Sequence, residues 1–421
     1  MAHDLLWPGT HRAGELMSDP ALLRAMVRVE AAWLAELVAA GVAPPDAADD
    51  LAGLVDGGDV AQVAAAAEAG GNPVIPLLGL LRTRLAARNP AAATWVHRGL
   101  TSQDVLDTAL ALGAADVVAR LRAELRAQVA LLSALADAHR GTVMVARTLT
   151  QHAVPTTFGA KAAGWLHGVL DAAESLAACA GLPVQIGGAA GTLAASAELA
   201  ALRGSADPAG AAIELAARTA ERLGLRAAPP WHTARAPVAR LGDALVACTD
   251  ACGRIANDVL TLARPEIGEL GEPRAPGRGG SSAMPHKVNP VLSVLVRRAA
   301  LAAPHGAAAL HTAAADARDE RPDGAWHLEW ATLRTLARRT VVAASQTAEL
   351  LGGLRVDVER MRATARGAAP AILAEWRDLR DAAGAPGLAE DLAEDPARYL
   401  GATDALIDAA LSRARDLEEP P

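Results

Sequence analysis

Two long stretches without proline constrain the fold of this chain more than any other feature of its sequence. No proline occurs between Pro90 and Pro155, or between Pro322 and Pro370. Apolar residues recur there at intervals of three and four, which is the period of an amphipathic helix. Alanine, the strongest helix former, is abundant, and its small side chain lets helices approach closely. The pattern predicts an all-α protein built around long helices.

The length of 421 residues exceeds one ordinary hydrophobic core, unless long helices extend that core along an axis. Short helices around proline and glycine turns are expected in residues 1–103. The longest helices are expected in residues 104–350, and shorter ones in residues 351–421. We therefore predict an N-terminal helical domain, a central helical bundle and a short C-terminal helical domain.

Composition excludes several classes of protein. Apolar residues make up 52% of the chain, yet no apolar run reaches the roughly 18–20 residues of a membrane span. The N-terminus lacks the layout of a signal peptide. The net charge is −8, and no lysine-rich patch indicates nucleic-acid binding. We expect a cytoplasmic protein with neither nucleic-acid nor membrane partners.

The residues that could bind a cofactor are sparse. Lysine occurs only as Lys161 and Lys287, and neither follows a glycine as in a phosphate-binding loop. Cys179, Cys248 and Cys252 are odd in number, and no histidine or carboxylate cluster completes a zinc site. We expect inert thiols and no metal or organic cofactor.

Three polar segments interrupt the helical pattern where a bundle would be apolar. Residues 97–104 favour a helix N-cap, although the same hydroxyls and N–H groups bind carboxylates. Residues 147–157 place hydrogen-bonding side chains at the end of a bundle helix. Residues 185–192 are rich in glycine and form either a backbone anion cradle or a tight turn.

A fourth segment, residues 274–290, carries the strongest signal for function. Its core reads GRGGSSAMPHKVNP, with glycines, two serines, a lysine and an asparagine before another helix. A glycine-rich loop that closes over a ligand is a common means of excluding water. A disordered surface loop fits poorly with Met284 and with one of only two lysines.

This fourth segment resembles the serine loop GSSxMPxKxNP of the fumarase/aspartase superfamily, and the other three segments follow in the order of that superfamily's active-site regions. Within the superfamily, the sequences of these segments are most similar to those of the bacterial 3-carboxy-cis,cis-muconate cycloisomerases. The resemblance covers about residues 5–365. The segments that carry it, besides the serine loop, are WVHRGLTSQDVLDTAL, ARTLTQHAVPTTFGAKAAGWL, LPVQIGGAAGTLAA, WHTARAPVARL and GAWHLEW.

The resemblance implies a three-part helical subunit that assembles into a homotetramer with shared active sites, acting on a small polycarboxylate. It implies that Ser281 is the base that removes a proton next to a carboxylate. Lys287 and Asn289 match the superfamily's substrate-binding pair, and Lys287 is also expected to stabilise the serine alkoxide. The positions that match carboxylate-binding residues are Thr101, Ser102, Thr148, Gln151 and Arg235.

Two departures from the superfamily pattern bear on the chemistry. Many members have a histidine general acid at the position of Leu149 and its partner glutamate at that of Val294. Here the histidine is displaced to His152, about one helical turn further, where we expect it to orient the substrate. Hydroxide needs a proton to leave, whereas a carboxylate or nitrite leaves readily without one. The leaving group is therefore expected to be a stable anion.

The leading interpretation is reversible lactonisation of 3-carboxy-cis,cis-muconate to 4-carboxymuconolactone, a step of aromatic-compound catabolism in the β-ketoadipate pathway. Val288, where the cycloisomerases usually have arginine, and a short C-terminal part raise an alternative. That alternative is a lyase releasing fumarate from another substituted succinate, of the nitrosuccinate or adenylosuccinate type. Leu149 disfavours the adenylosuccinate type. An inactive scaffold is disfavoured because Ser281, Lys287 and Asn289 are intact.

Overall fold

Helices dominate the computed structural model, which describes residues 4–385, 387 and 394–418 and confirms the all-α class. Four short 3₁₀ turns lie at Thr10–Ala13, Pro45–Ala47, Gly57–Asp59 and Pro396–Tyr399. The α-helices are α1 (Asp19–Ala39), α2 (Val60–Gly70), α3 (Val74–Ala86), α4 (Pro90–Trp95), α5 (Ser102–Ala138), α6 (Phe158–Ala177), α7 (Ala194–Leu202), α8 (Pro208–Leu223), α9 (Ala236–Leu262), α10 (Val291–Ala315), α11 (Gly324–Gly352), α12 (Val358–Ile372), α13 (Ala374–Ala382) and α14 (Thr403–Glu418).

The longest helices are α5, α9, α10 and α11; α5 and α11 lie in the two stretches without proline, whereas α10 contains Pro304. Helix α5 has 37 residues and is therefore about 55 Å long. Shorter helices begin at side-chain caps: Ser18 accepts an N–H bond at the start of α1, and Asn89 does so at α4. No helix in the described part of the chain is apolar over enough of its length to cross a membrane.

The chain forms two compact units, each built from three separate stretches of sequence. The first comprises residues 1–120, 178–245 and 303–342, and the second residues 121–177, 246–302 and 343–421. Each of the four longest helices contributes residues to both units. The three-part division at residues 103 and 350 stays a prediction, and residues 386, 388–393 and 419–421 of its last part lie outside the described residues.

The core of the first unit is made of large apolar side chains on short helices. Trp33 and Leu37 of α1, with Leu77 and Leu81 of α3, are fully buried. Helix α1 packs against α8, and α8 packs against α7. These helices support the loops that precede α5 and follow α6.

The second unit has an aromatic pair and a small hairpin in its core. The rings of Phe158 and Trp165 on α6 meet edge to face, with centroids 5.7 Å apart. Helices α9 and α10 pack closely, because a Cβ on Gly253 would lie 2.5 Å from Ala300 Cβ. Val145 packs with buried residues of α12, such as Ala369.

The second polar segment forms a β-hairpin, so its predicted place at the end of a helix is wrong. Strands β1 (Val143–Thr148) and β2 (Gln151–Thr157) pair antiparallel, with Thr148 opposite Gln151. The two-residue loop, Leu149 and Thr150, has φ of 47° and 73°, as a type I′ turn requires. Neither residue is the usual Asn or Gly, so the sequence carries no signal for this turn. A second small pair joins β3 (Leu270–Gly271) to β4 (Arg355–Val356).

Candidate active site

The first polar segment ends where α5 begins. Ser102 is the first residue of α5, and the N–H of the preceding Thr101 donates to Asp104 Oδ2 at 3.0 Å. The N–H groups of Ser102, Gln103 and Asp104 have no hydrogen-bond acceptor among the described residues. Gln103 and Asp104 are fully buried, so the helix end presents the Ser102 N–H and partial positive charge, both of which suit a carboxylate.

Arg321 lies beside this helix end and is not among the residues predicted from the sequence. Its Nη1 donates to Thr101 Oγ1 at 2.9 Å, and its guanidinium lies 5.4 Å from the centre of the Trp326 ring. Its other side-chain donors have no acceptor within the part of the chain described. A guanidinium with free donors can bind a carboxylate in bidentate fashion. Only two of the 40 basic residues are lysine, so another arginine carried no sequence signal.

The glycine-rich third segment holds an anion, and that anion is the protein's own Asp104. Oδ1 accepts from the N–H of Gly187 and Oδ2 from that of Gly188, both at 2.9 Å. Gln185 Nε2 also donates to Oδ1, at 3.1 Å. Burial raises the pKa of Asp104 to about 6, although these donors oppose the rise. The sequence of residues 185–192 was compatible with either an anion cradle or a tight turn. In the structure the same residues form both.

His232 joins the same buried network as a neutral ring. Its Nε2 lies 3.0 Å from the carbonyl oxygen of Gly188, which assigns the ring proton to Nε2. Gln185 Nε2 approaches the Nδ1 atom at 3.3 Å. Burial lowers the pKa of His232 below its ordinary value, so the ring is uncharged at pH 7. His232 therefore packs behind the glycine turn without adding charge.

Arg235, a predicted substrate-binding residue, is only 3% exposed and is engaged by the protein itself. Its guanidinium contacts Asp107 at 2.7 Å and Glu329 at 2.5 Å. Burial alone would lower the pKa of Arg235, but the two carboxylates raise it above its ordinary value. Nη1 also faces the carbonyl oxygen of Trp231 at 3.4 Å. Every nitrogen of the guanidinium thus has protein acceptors, and these contacts favour a supporting role.

The tip of the hairpin carries the second group of predicted residues. Thr148, Gln151 and His152 are all exposed there, and Gln151 Nε2 donates to the Thr150 hydroxyl at 3.1 Å. Leu149, at the superfamily's acid position, is 96% exposed. An apolar side chain in left-handed backbone at a fully exposed tip is unusual, and such strain concentrates at functional sites.

His152 lines a cavity of about 530 Å³ within the second unit. It pairs across the hairpin with Arg147, whose guanidinium binds the buried carboxylate of Glu269 at 2.8 and 3.0 Å. Lys161 also lines the cavity and lies 3.6 Å from Asp258. His152 lies on a β-strand, opposite Arg147, so its predicted displacement by one helical turn is wrong.

The serine loop connects β3 to α10 and is exposed over residues 282–288. Ser281 Oγ accepts hydrogen bonds from the N–H groups of Ala283 and Met284, at 3.4 and 3.2 Å. Donors aimed at a hydroxyl oxygen stabilise its alkoxide form. Lys287 is exposed, and its N–H donates to the carbonyl of Met284 at 3.0 Å. The loop thus has a turn around the Ser281 hydroxyl.

The neck of the serine loop is closed by Asn289. Its N–H and its side-chain Nδ2 both donate to the carbonyl oxygen of Gly279, at 2.7 and 3.1 Å. Gly279 has φ of 72°, and a Cβ there would lie 2.5 Å from the Asn289 carbonyl oxygen. Buried Glu272 then accepts the N–H groups of Leu292 and Ser293, at 3.1 and 2.6 Å, at the start of α10. The neck is therefore fixed, and the turn around Ser281 projects from it.

The predicted residues are divided between the two compact units. Within the first unit, one buried network joins the start of α5, the glycine turn and Arg235. Within the second, His152 lies in the hairpin cavity and Ser281 in the serine loop. Among the described residues, no group of three or more His, Cys, Asp or Glu side chains is arranged to hold a metal ion. The first unit contains Thr101, Ser102 and Arg235, and the second Thr148, Gln151, His152, Ser281, Lys287 and Asn289.

Comparison with known proteins identifies enzymes that are similar to this chain in sequence and in fold. The family model described as Lyase matches residues 68–303. The chain is 46% identical over 354 residues to the nitrosuccinate lyase of Streptomyces davaonensis, covering 82% of this chain and 73% of that protein. It is 37% identical over 406 residues to the 3-carboxy-cis,cis-muconate cycloisomerase of Bradyrhizobium diazoefficiens, and the match covers 94% of this chain and 83% of that protein. Its fold is similar to that of the 3-carboxy-cis,cis-muconate lactonizing enzyme of Pseudomonas putida, with a TM-score of 0.86 and 30% sequence identity. The match covers 98% of this chain and 99% of that chain.

Proposed function

The chain belongs to the fumarase/aspartase superfamily and is an enzyme, and we propose that it expels an unprotonated anion from a substituted succinate. The observation that carries this proposal is Leu149. A leucine stands at the general-acid position, 96% exposed at the hairpin tip, and Val294 replaces its glutamate partner. Without a donor at that position, the leaving group must depart as a stable anion.

The proposed reaction is the elimination of nitrite from nitrosuccinate. A base removes a proton from the carbon next to one carboxylate, the bond from the neighbouring carbon to nitrogen breaks, and nitrite leaves with the bonding electrons. Fumarate, nitrite and one proton are the products. The 46% identity to the nitrosuccinate lyase supports this choice, as does Val288, since the cycloisomerases usually have arginine there.

Lactonisation of 3-carboxy-cis,cis-muconate is the second candidate. The 37% identity to a cycloisomerase spans 94% of this chain, and the fold similarity to the lactonizing enzyme is strong. The bond made or broken joins carbon to a carboxylate oxygen, so this reaction also needs no general acid. If this candidate is correct, the chain acts in aromatic-compound catabolism. An adenylosuccinate-type reaction is disfavoured, because its amine leaving group needs the proton that Leu149 cannot supply.

We propose Ser281 as the base, since the two N–H groups on its oxygen stabilise the alkoxide. Lys287 adds a positive charge in the same loop, and Asn289 contributes to substrate binding. His152 orients a substrate carboxylate from the hairpin. The other proposed carboxylate-binding groups are Thr101, Ser102, Arg321, Thr148 and Gln151. Proton abstraction next to a carboxylate needs only a base and stabilisation of the resulting anion, so no cofactor is proposed.

We also propose that the enzyme is a homotetramer with shared active sites. The hydroxyls and guanidinium at the start of α5 lie in one compact unit, and the hairpin and the serine loop lie in the other. Assembly of several copies would let different subunits supply these groups to one site, as the superfamily resemblance implies.

Assays with both substrates separate the two candidates. Purified enzyme is given nitrosuccinate, with nitrite measured by azo coupling, and 4-carboxymuconolactone, followed by ultraviolet absorbance. We expect kcat/KM for nitrosuccinate to exceed that for the lactone by at least about 100-fold, or roughly 2.7 kcal/mol. Preference for the lactone would select the cycloisomerase, and activity on neither substrate would reject both candidates. The Ser281→Ala variant controls for contaminating activity.

A further inference from the structure

The carboxylate of Asp104 joins two parts of the first unit that are far apart in sequence. It lies in the first turn of α5 and is fully buried. Four donors surround it: the N–H groups of Thr101, Gly187 and Gly188, and Nε2 of Gln185, at 2.9–3.1 Å. These donors fill the positions from which a carboxylate accepts hydrogen bonds. None of them is charged, so Asp104 forms no ion pair with them.

The glycine turn that Asp104 holds has no room for other side chains. A Cβ on Gly187 would lie 2.5 Å from His232 Cε1. Gly188 has φ of 70°, and a Cβ there would lie 3.3 Å from the carbonyl oxygen of Gly99. The turn therefore lies directly against the residues that lead into α5. Releasing it would move the backbone beside Thr101.

Because the Asp104 side chain points toward the glycine turn, it leaves N–H groups at the start of α5 without an acceptor. An aspartate in the first turn commonly accepts N–H bonds at its own helix end. Asp104 accepts only the Thr101 N–H there and uses its other bonds on the glycine turn and Gln185. The N–H groups of Ser102 and Gln103 keep no protein acceptor among the described residues. Gln103 is fully buried, so the Ser102 N–H is the one of these two that a ligand can reach, beside the Thr101 hydroxyl and Arg321.

We propose that Asp104 is a positioning residue for the carboxylate-binding end of α5. Its carboxylate fixes the glycine turn against residues 99–101 and thereby holds the Thr101 hydroxyl, the Ser102 N–H and Arg321 in place. The proposal rests on the proposed function, because it takes the substrate to be a dicarboxylate bound at this end of the helix.

The isosteric variant Asp104→Asn tests this proposal because loss of the negative charge and loss of the clamp should change KM in opposite directions. Removing a buried anion near an anionic substrate lowers electrostatic repulsion and by itself would decrease KM. An amide instead turns one NH₂ group toward backbone N–H donors, so the clamp opens. We expect KM for nitrosuccinate to rise at least tenfold, with kcat falling by a smaller factor. An unchanged or lower KM in the folded variant would overturn the proposal.

A control and a second measurement keep the test independent of the variant's stability and of the substrate. Asp207→Asn makes the same exchange at an exposed cap of α8, where Asp207 accepts the N–H of Gly210 at 2.9 Å, and should leave KM unchanged. Hydrogen exchange of residues 183–192 needs no activity. We expect at least tenfold faster exchange at Gly187 and Gly188 in Asp104→Asn. Unchanged protection would reject the clamp, whereas an inactive wild type would reject only the proposed function.

Discussion

At the residue scale, the proposed role of Ser281 as the base depends on the hydrogen bonds that its hydroxyl oxygen accepts. A serine hydroxyl is a poor base unless its alkoxide is stabilised. The N–H groups of Ala283 and Met284 point at its oxygen, and Asn289 closes the loop neck on Gly279. Both donors to the Ser281 oxygen are backbone N–H groups, so they depend on the loop's turn and not on neighbouring side chains.

Replacing Ser281 with alanine should abolish turnover and preserve the fold. The oxygen that takes the proton is lost, and a partly exposed loop hydroxyl contributes little to stability. We expect kcat to fall by several orders of magnitude, with the circular dichroism spectrum and melting temperature close to wild type. Retention of more than about a tenth of the turnover, a barrier change of under roughly 1.4 kcal/mol, would reject Ser281 as the base.

The buried carboxyl of Asp104 should make folding stability depend on pH. Burial raises its folded-state pKa from 3.8 to about 6, so the folded state binds more protons than the unfolded state between those values. The free energy of unfolding should therefore fall as pH rises from about 4 to 6, by up to about 3 kcal/mol from this group. Urea unfolding of wild type and Asp104→Asn at pH 4.5 and 7 measures the difference. Equal pH dependence in both proteins would contradict the shift.

Single arginines mark the limit of reasoning from sequence. The pattern before the serine loop pointed to Arg235, but the structure surrounds that guanidinium with Asp107 and Glu329. Arg321, which contacts Thr101, lies 86 residues further along the chain than Arg235. Both residues are arginines with the same guanidinium donors. Only tertiary contacts show which one has free donors, so the sequence could not distinguish them.

At the element scale, periodicity predicted the long helices well and missed the hairpin. Helices α5 and α11 follow from long alanine-rich stretches without proline, because local propensity and amphipathic period agree there. Strands β1 and β2 are short, and their turn lacks the Asn-Gly pair that marks a type I′ loop. Packing of the hairpin on α12 then decides its conformation.

The left-handed backbone at Leu149, at the tip of that hairpin, should lower the stability of the fold. Leu149 has φ of 47°, and left-handed backbone costs such a residue roughly 1–2 kcal/mol, whereas asparagine tolerates it. We expect Leu149→Asn to raise the free energy of unfolding by about 0.5–1 kcal/mol. Leu202→Asn, at an exposed position in α7 with no such strain, is the matched control and should give no gain. A loss of stability in Leu149→Asn would show that the leucine is covered in the assembled protein.

At the scale of the whole molecule, activity should require assembly. The proposed carboxylate-binding groups and the proposed base lie in different compact units, and the superfamily resemblance implies sites built from several subunits. We expect light scattering of active enzyme to give four times the 43.0 kDa chain mass. Dilution until subunits dissociate should remove activity in parallel. A fully active monomer would refute shared sites.

The central claim is that the enzyme expels an anion without protonating it, because Leu149 replaces the acid. The most direct test compares nitrosuccinate with malate, two succinates that differ only in the leaving group. A positioned general acid contributes roughly 10²–10⁴-fold to a reaction that needs one. We expect kcat/KM for nitrosuccinate to exceed that for malate by more than about 10⁴-fold, with fumarate and nitrite formed in equal amounts. Dehydration of malate within about 100-fold of the nitrosuccinate rate would contradict the claim, since hydroxide would then leave with a proton from a general acid in the site.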